Sequence, residues 1–211
     1  MKESLFMGKV TAAMTHEMKN VLAIISEAAG LAQDLLGPSD ESVFPLKNRF
    51  LNIMGKIDNQ VTRGSDILGV LNYFSHVPDD EQRQENLDEV LNQTLFLSRK
   101  ISRLNGVDLV TEQTDSPVIL DYNPLKSRML LYRMLEFLAP LVGKGSEIML
   151  RAWRFHDGSA GVCFTVKASA SSTFSLTEML NGSSWGALET EFRTEKASIG
   201  PSGNNSLMLS F

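Results

Sequence analysis

Near the start of the chain, Thr15-His16-Glu17-Met18-Lys19-Asn20 brings an imidazole, a carboxylate, an ammonium and a carboxamide within two helical turns. In a helix, His16 and Asn20 stand one turn apart and share a face. Three readings compete for such a group: a metal site, an inert solvated turn, or a histidine that acts as a nucleophile. A helical metal site needs a second ligand at the same spacing, as in His-Glu-x-x-His. Asn20 occupies that place, and the other histidines, His76 and His156, are distant in sequence. No metal is expected, and His76 and His156 read as solvated. An imidazole nitrogen, by contrast, is a good nucleophile near pH 7.

The surrounding elements decide which way these side chains face. Apolar residues at Met14, Met18, Val21, Ile25, Ala28, Ala32 and Leu35 step alternately by four and three, a heptad seam. Gly37-Pro38 closes that helix, and SDESVFP makes a turn. A second seam follows at Phe50, Met54, Ile57, Val61, Gly64, Leu68 and Leu71. Two such helices form an antiparallel hairpin. Leu22 and Ile24 flank the first seam, and Leu51, Ile53, Ile67 and Val70 widen the second. Apolar surface that broad needs another helix pair, and the economical source is a second copy. The hairpin is therefore predicted to form a dimeric four-helix bundle. With Met14 and Val21 at d and Met18 at a, His16 takes f, furthest from the core. Glu17 takes g and Asn20 takes c. Ala12, Ala13 and Ala23 leave low ground around the imidazole, open to a partner.

Beyond the hairpin, the polar stretch HVPDDEQRQEN reads as a linker. The predicted division is 1–78, a linker at 79–86, and a second domain at 87–211. NLDEVLNQTLFLSRKISRL is an amphipathic helix, VDLVTEQ and SPVILDY are short strands, and PLKSRMLLYRMLEFLAPLV is another helix. EIMLRAWRF and AGVCFTVKA, joined by His156-Asp157-Gly158-Ser159, read as a β-hairpin, with SLMLSF as a last strand. The fold class is α+β.

Composition narrows the function. With 211 residues, 43% hydrophobic and 21% charged, the chain has the make-up of an ordinary globular protein. A net charge of −5 argues against nucleic acid as partner. No stretch approaches the roughly 20 apolar residues of a membrane span, and the first residues lack the apolar core of a signal peptide. The single cysteine, Cys163, excludes an internal disulfide and fits a reducing compartment. A cytoplasmic protein is expected.

MTHEMKNVLAIISEA resembles the H-box of the dimerisation and histidine-phosphotransfer domain of sensor histidine kinases. The family pattern, His-Glu-x-Lys/Arg-Asn/Thr-Pro-Leu, is matched at His16, Glu17, Lys19, Asn20 and Leu22, with Val21 in place of proline. The resemblance implies that His16 is the phospho-acceptor and donor. Glu17 would then orient the imidazole or act as its base, and Asn20 would orient water for hydrolysis of a partner's aspartyl phosphate. Lys19 would help to dock a response-regulator receiver domain. Docking is expected along the lower flank of the bundle, at Ala23, Ser26 and Glu27 on the first helix and Arg63, Asp66 and Val70 on the second.

The order of elements after the linker resembles the family's ATP-binding domain, an α/β sandwich of the Bergerat fold, but in degenerate form. The asparagine box should fall on LLYRMLEFLAPLV, where its first Asn aligns with Arg133 and its Mg²⁺-holding Asn with Phe137; Glu136 alone is family-like. The Asp-x-Gly-x-Gly box is replaced by Lys167-Ala168-Ser169-Ala170-Ser171-Ser172, and IGPSGNNS lacks the spacing of a phosphate loop. Without these parts MgATP is not positioned for in-line transfer. The expected function is thus a phosphorelay histidine phosphotransferase, a pseudo-histidine kinase. It would pass phosphoryl groups between His16 and receiver aspartates with no cofactor of its own, Mg²⁺ serving only the receiver. Its expected partners are a second copy, receiver domains and an upstream sensor kinase. The alternatives are a response-regulator phosphatase working through Asn20, a divergent active kinase, and a non-catalytic receiver-binding decoy.

Overall fold

The computed structural model describes residues 3–36, 47–75 and 83–211. The chain divides into two compact units, Met7–His76 and a second formed by Met1–Phe6 with Val77–Phe211. The expected helix stop at Gly37-Pro38, the turn after it, His76 and the first part of the linker lie outside the described residues.

In the first unit, α1 (Glu3–Leu36) and α2 (Lys47–Ser75) are long helices. Ala28, Ala32 and Ile53 form a buried apolar cluster, with Phe50 and Ile57 packed against it. Farther along, Gly64 meets Val21: a Cβ added to the glycine would stand 3.4 Å from Val21 Cγ1. Falling numbers on α1 meet rising numbers on α2, so the two run antiparallel.

The buried rows refine the expected seams. On α1 the d and g positions Val10, Met14, Glu17, Val21 and Ala28 are buried. The a and e positions Met18, Leu22, Ile25 and Ala29 stay half-buried or exposed, with Leu22 58% exposed. On α2 the row Ile53, Ile57, Gln60, Gly64 and Ile67 turns inward. Met54 and Val61, expected in the seam, are 43% and 50% exposed. One neighbouring helix covers only one side of an apolar sector this wide, and among the described residues Leu22, Met54 and Val61 on the other side stay exposed.

The second unit is an α+β layer structure. β2 (Asp108–Glu112), β4 (Glu147–Arg154), β5 (Ala160–Lys167), β7 (Ser206–Ser210) and β6 (Ser198–Gly203) form a sheet in the order β2-β4-β5-β7-β6. The β2–β4 pair is parallel and the rest are antiparallel. The period-two rule sends Ile148, Leu150, Ala152, Val162, Phe164, Val166, Leu207 and Leu209 into the core. Between β2 and β4 the chain runs through β3 (Ile119–Tyr122) and α5 (Pro124–Val142), as a parallel pair requires a crossover. Asn123 caps α5 by accepting from Lys126 N at 2.9 Å, with Pro124 at the first helical position.

Two expectations for this unit need correction. The helix expected over 86–104 is two, α3 (Leu87–Leu97) and α4 (Arg99–Asn105), parted at Ser98 and stopped by Gly106 at φ +63°. Arg83–Asn86, the end of the expected linker, is strand β1, antiparallel to β3. Beyond that ladder, a buried side chain ties the strand to the helices. Arg128 on α5, 1% exposed, donates to both carboxylate oxygens of Glu85 on β1 at 2.8 and 3.0 Å. It also donates to Gln93 on α3 at 2.7 and 3.0 Å, and to the Pro124 carbonyl at 2.9 Å. A rigid guanidinium fork suits this multidentate role.

The pair predicts an asymmetry between its two halves. Glu85→Ala strands a buried cation and is expected to cost about 3–5 kcal/mol. Arg128→Met removes the charge and fills the space, so its cost is smaller. Urea denaturation of both variants, read as shifts in midpoint, checks the order.

Candidate functional site

His16 is exposed on α1, at the phase the heptad assigned it. Its ring Nδ1 lies 3.2 Å from the Asn20 Nδ2 atom, one turn along the helix. Lys19, Ala23, Ser26 and Glu27 are likewise exposed. Residues 16, 19, 20, 23, 26 and 27 follow the three-and-four spacing of one helix face, so they form a continuous strip running about 16 Å from the imidazole at a 1.5 Å rise per residue.

Glu17 is placed differently. It is 6% exposed, turned into the hairpin, and forms an ion pair with Arg63 of α2. Arg63 Nη2 donates to Glu17 Oε2, and Arg63 Nε is also buried. Glu17 and Arg63 sit beside the contact of Val21 with Gly64, where an added Cβ would stand 3.4 Å from Val21 Cγ1. Of the other residues expected on α2, Asp66 is exposed one turn beyond Arg63. Val70 falls within α2, and its side chain lies outside the described residues. A buried, cross-helix partner for Glu17 was not evident from the sequence, though a carboxylate at a g position beside an apolar seam is its one local sign.

The positions that the family resemblance assigns to nucleotide binding lie in the second unit. Arg133, Glu136 and Phe137 line an open groove of about 560 Å³ between α5 and the segments α6 (Leu176–Leu180) and α7 (Ser183–Thr194). Arg133 Nε is 3.2 Å from Glu191 Oε2, and its Nη1 is 3.6 Å from Glu136 Oε2. Phe137 leans on Trp185 with ring centroids 6.1 Å apart. Glu178 stands on the same wall as Glu136, while Glu136 and Glu191 both pair with the Arg133 guanidinium. That balance opposes a polyphosphate by like-charge repulsion. Helix α7 was missed in the sequence, although Trp185, Leu188 and Phe192, all buried, carry a helical spacing.

His156 lies in the β4–β5 turn. There Asp157 accepts from the Ser159 hydroxyl at 2.6 Å and the Ser159 amide at 2.9 Å, which hold its carboxyl below the ordinary range. Among the described residues, no group of three or more His, Cys, Asp or Glu is arranged to hold a metal ion. No helix among them is long and apolar enough to cross a membrane.

No family model matches the chain, and no curated protein matches it. Among solved structures, the nucleotide-free catalytic domain of histidine kinase ThkA is similar at TM-score 0.47 and 12% identity, over 62% of this chain and 95% of that one. Acinetobacter baumannii histidine kinase AdeS is similar at TM-score 0.46 and 13% identity, over 93% of this chain and 96% of that one. ThkA in complex with the response regulator TrrA is similar at TM-score 0.47 and 14% identity, over 99% of this chain and 63% of that one. These values are too low to carry function across, and the chemistry rests on the residues of the chain itself.

From the groove, no binding of MgATP is expected at millimolar nucleotide. Isothermal calorimetry is the check, and a micromolar dissociation constant would restore the kinase reading.

Proposed function

We propose that His16 accepts a phosphoryl group from the aspartyl phosphate of a response-regulator receiver and passes it on to another, with no ATP consumed by this protein. The observation that carries the reading is the exposed imidazole held by Asn20 at the head of an exposed polar strip. A receiver could approach His16 over Ala23 while Lys19, Ser26 and Glu27 meet its rim.

The His16–Asn20 contact bears on the chemistry. For Nε2 to attack phosphorus it must carry a lone pair, so the proton belongs on Nδ1. Asn20 supports that tautomer when its carboxamide presents Oδ1 to the ring, a half-turn that exchanges two atoms of similar size. Nε2 then forms the P–N bond as the P–O bond to the receiver's aspartate breaks, and the carboxylate leaves with the electron pair. The positive charge that develops on the ring is met at Nδ1–H by the Asn20 oxygen.

The open a and e edge of α1 and the exposed Met54 and Val61 of α2 support a homodimer, in which a second copy covers the apolar sector one hairpin leaves bare. An interface in the obligate class, roughly 2,000 Å² or more, fits a seam of this length.

His16→Gln is expected to abolish acceptance of label from a phosphorylated receiver while leaving the fold and dimer unchanged, because the side chain is exposed. Asn20→Ala is expected to slow acceptance by about 10²-fold, the lower range for a group that supports proton placement. Phosphohistidine detection on receivers charged with labelled acetyl phosphate measures both, and label on His16→Gln would end the proposal. The dimer has its own test in Met54→Glu. This places a charge on the open edge without touching the buried row, and should yield folded monomers by sedimentation at micromolar concentration.

A further inference from the structure

The buried partner of Glu17 assigns Glu17 and Arg63 a role different from the base and the docking residue the sequence suggested. We infer that the Glu17–Arg63 pair is a positioning clamp: Arg63 acts on the reaction through Glu17 by fixing the rotation and height of α1, and the Glu17 carboxylate takes no proton from His16. The inference rests on the reading of His16 as phospho-acceptor.

Three observations support it. His16 and Glu17 are neighbours in sequence but lie on different sides of α1, one exposed and the other buried. The carboxylate is engaged by a guanidinium from the opposite helix, while the imidazole is engaged by Asn20. Arg63 Nε is buried and its Nη2 turns to Glu17, although the side chain as a whole is 31% exposed. The pair stands next to the contact of Gly64 with Val21, and Glu17 is the residue adjoining His16 on α1. A shift of about 1 Å in the reacting group is enough to cost about 10²-fold in rate.

Docking and positioning separate in the kinetics of transfer from a receiver domain charged with radiolabelled acetyl phosphate. Label on His16 of the unaltered protein comes first, and its absence would remove the phosphotransfer reading itself. Given label, Arg63→Met should lower the rate at saturating receiver by about 10²-fold with the half-saturating concentration unchanged, and Arg63→Lys should recover most of the rate. A raised half-saturating concentration at an unchanged saturating rate would overturn the inference and return Arg63 to docking. The reversed pair, Glu17→Arg with Arg63→Glu, separates clamp from base. Recovery to within about tenfold of the unaltered rate confirms the clamp, since no carboxylate then follows His16. A folded dimer that transfers no faster than Glu17→Gln overturns it. Where the reversed pair does not fold, Glu17→Gln with Arg63→Gln keeps a neutral hydrogen-bonded bridge and is read by the same two outcomes.

Discussion

The burial of Val10, Met14, Glu17, Val21 and Ala28 along one edge of α1 sets the rotation of that helix about its own axis, and the geometry of the site follows from this. With that edge inward, residue 16 must face solvent, residue 20 must lie beside it, and residues 23, 26 and 27 must continue the same face. Four of the five are small aliphatic or thioether side chains, for which burial is favourable without further partners. Glu17 is the exception. A carboxylate in that row is tolerable because Arg63 meets it from the opposite helix, and the same contact ties the rotation of α1 to α2.

The α/β unit uses a related device for a different purpose. Arg128 is more deeply buried than Arg63, and its bonds to Glu85 on β1, Gln93 on α3 and the first turn of α5 bind elements of that unit to one another. In the groove beside α7, Arg133 pairs with Glu136 and Glu191. Both arginines sit on α5, five residues apart, and each answers to carboxylates of the chain itself. Both pairs hold elements of the unit to one another.

Elements with strong local signals were legible in the sequence. The β4–β5 hairpin showed alternating apolar residues around a polar turn. Helix α5 began at Asn123-Pro124, where cap and ring geometry both favour helix initiation. The short elements were not legible, for a physical reason in each case. Strand β1 has only four residues, half of them exposed, and exists because Ile119–Tyr122 pairs with it from across α3 and β2. Helix α7 lies in a stretch rich in Ser, Thr and Gly, whose weak helix propensity concealed the apolar face formed by Trp185, Leu188 and Phe192. The break at Ser98 interrupts a pattern that continues smoothly through it in the sequence.

For the candidate site, the division runs between helix phase and helix partner. The heptad spacing alone determined that His16 points outward, because residue phase in a helix is set by a local period of 3.6 and by which residues are apolar. The same spacing put Asn20 beside it. Only the tertiary structure decided where the Glu17 carboxylate goes, because that depends on which residue of α2 stands opposite, and hence on the register of two helices separated in sequence by the residues that join them. It also decided which edge of each apolar sector closes within one chain and which stays open. A periodic pattern gives the width of an apolar face, but not how much of it a single neighbour can cover.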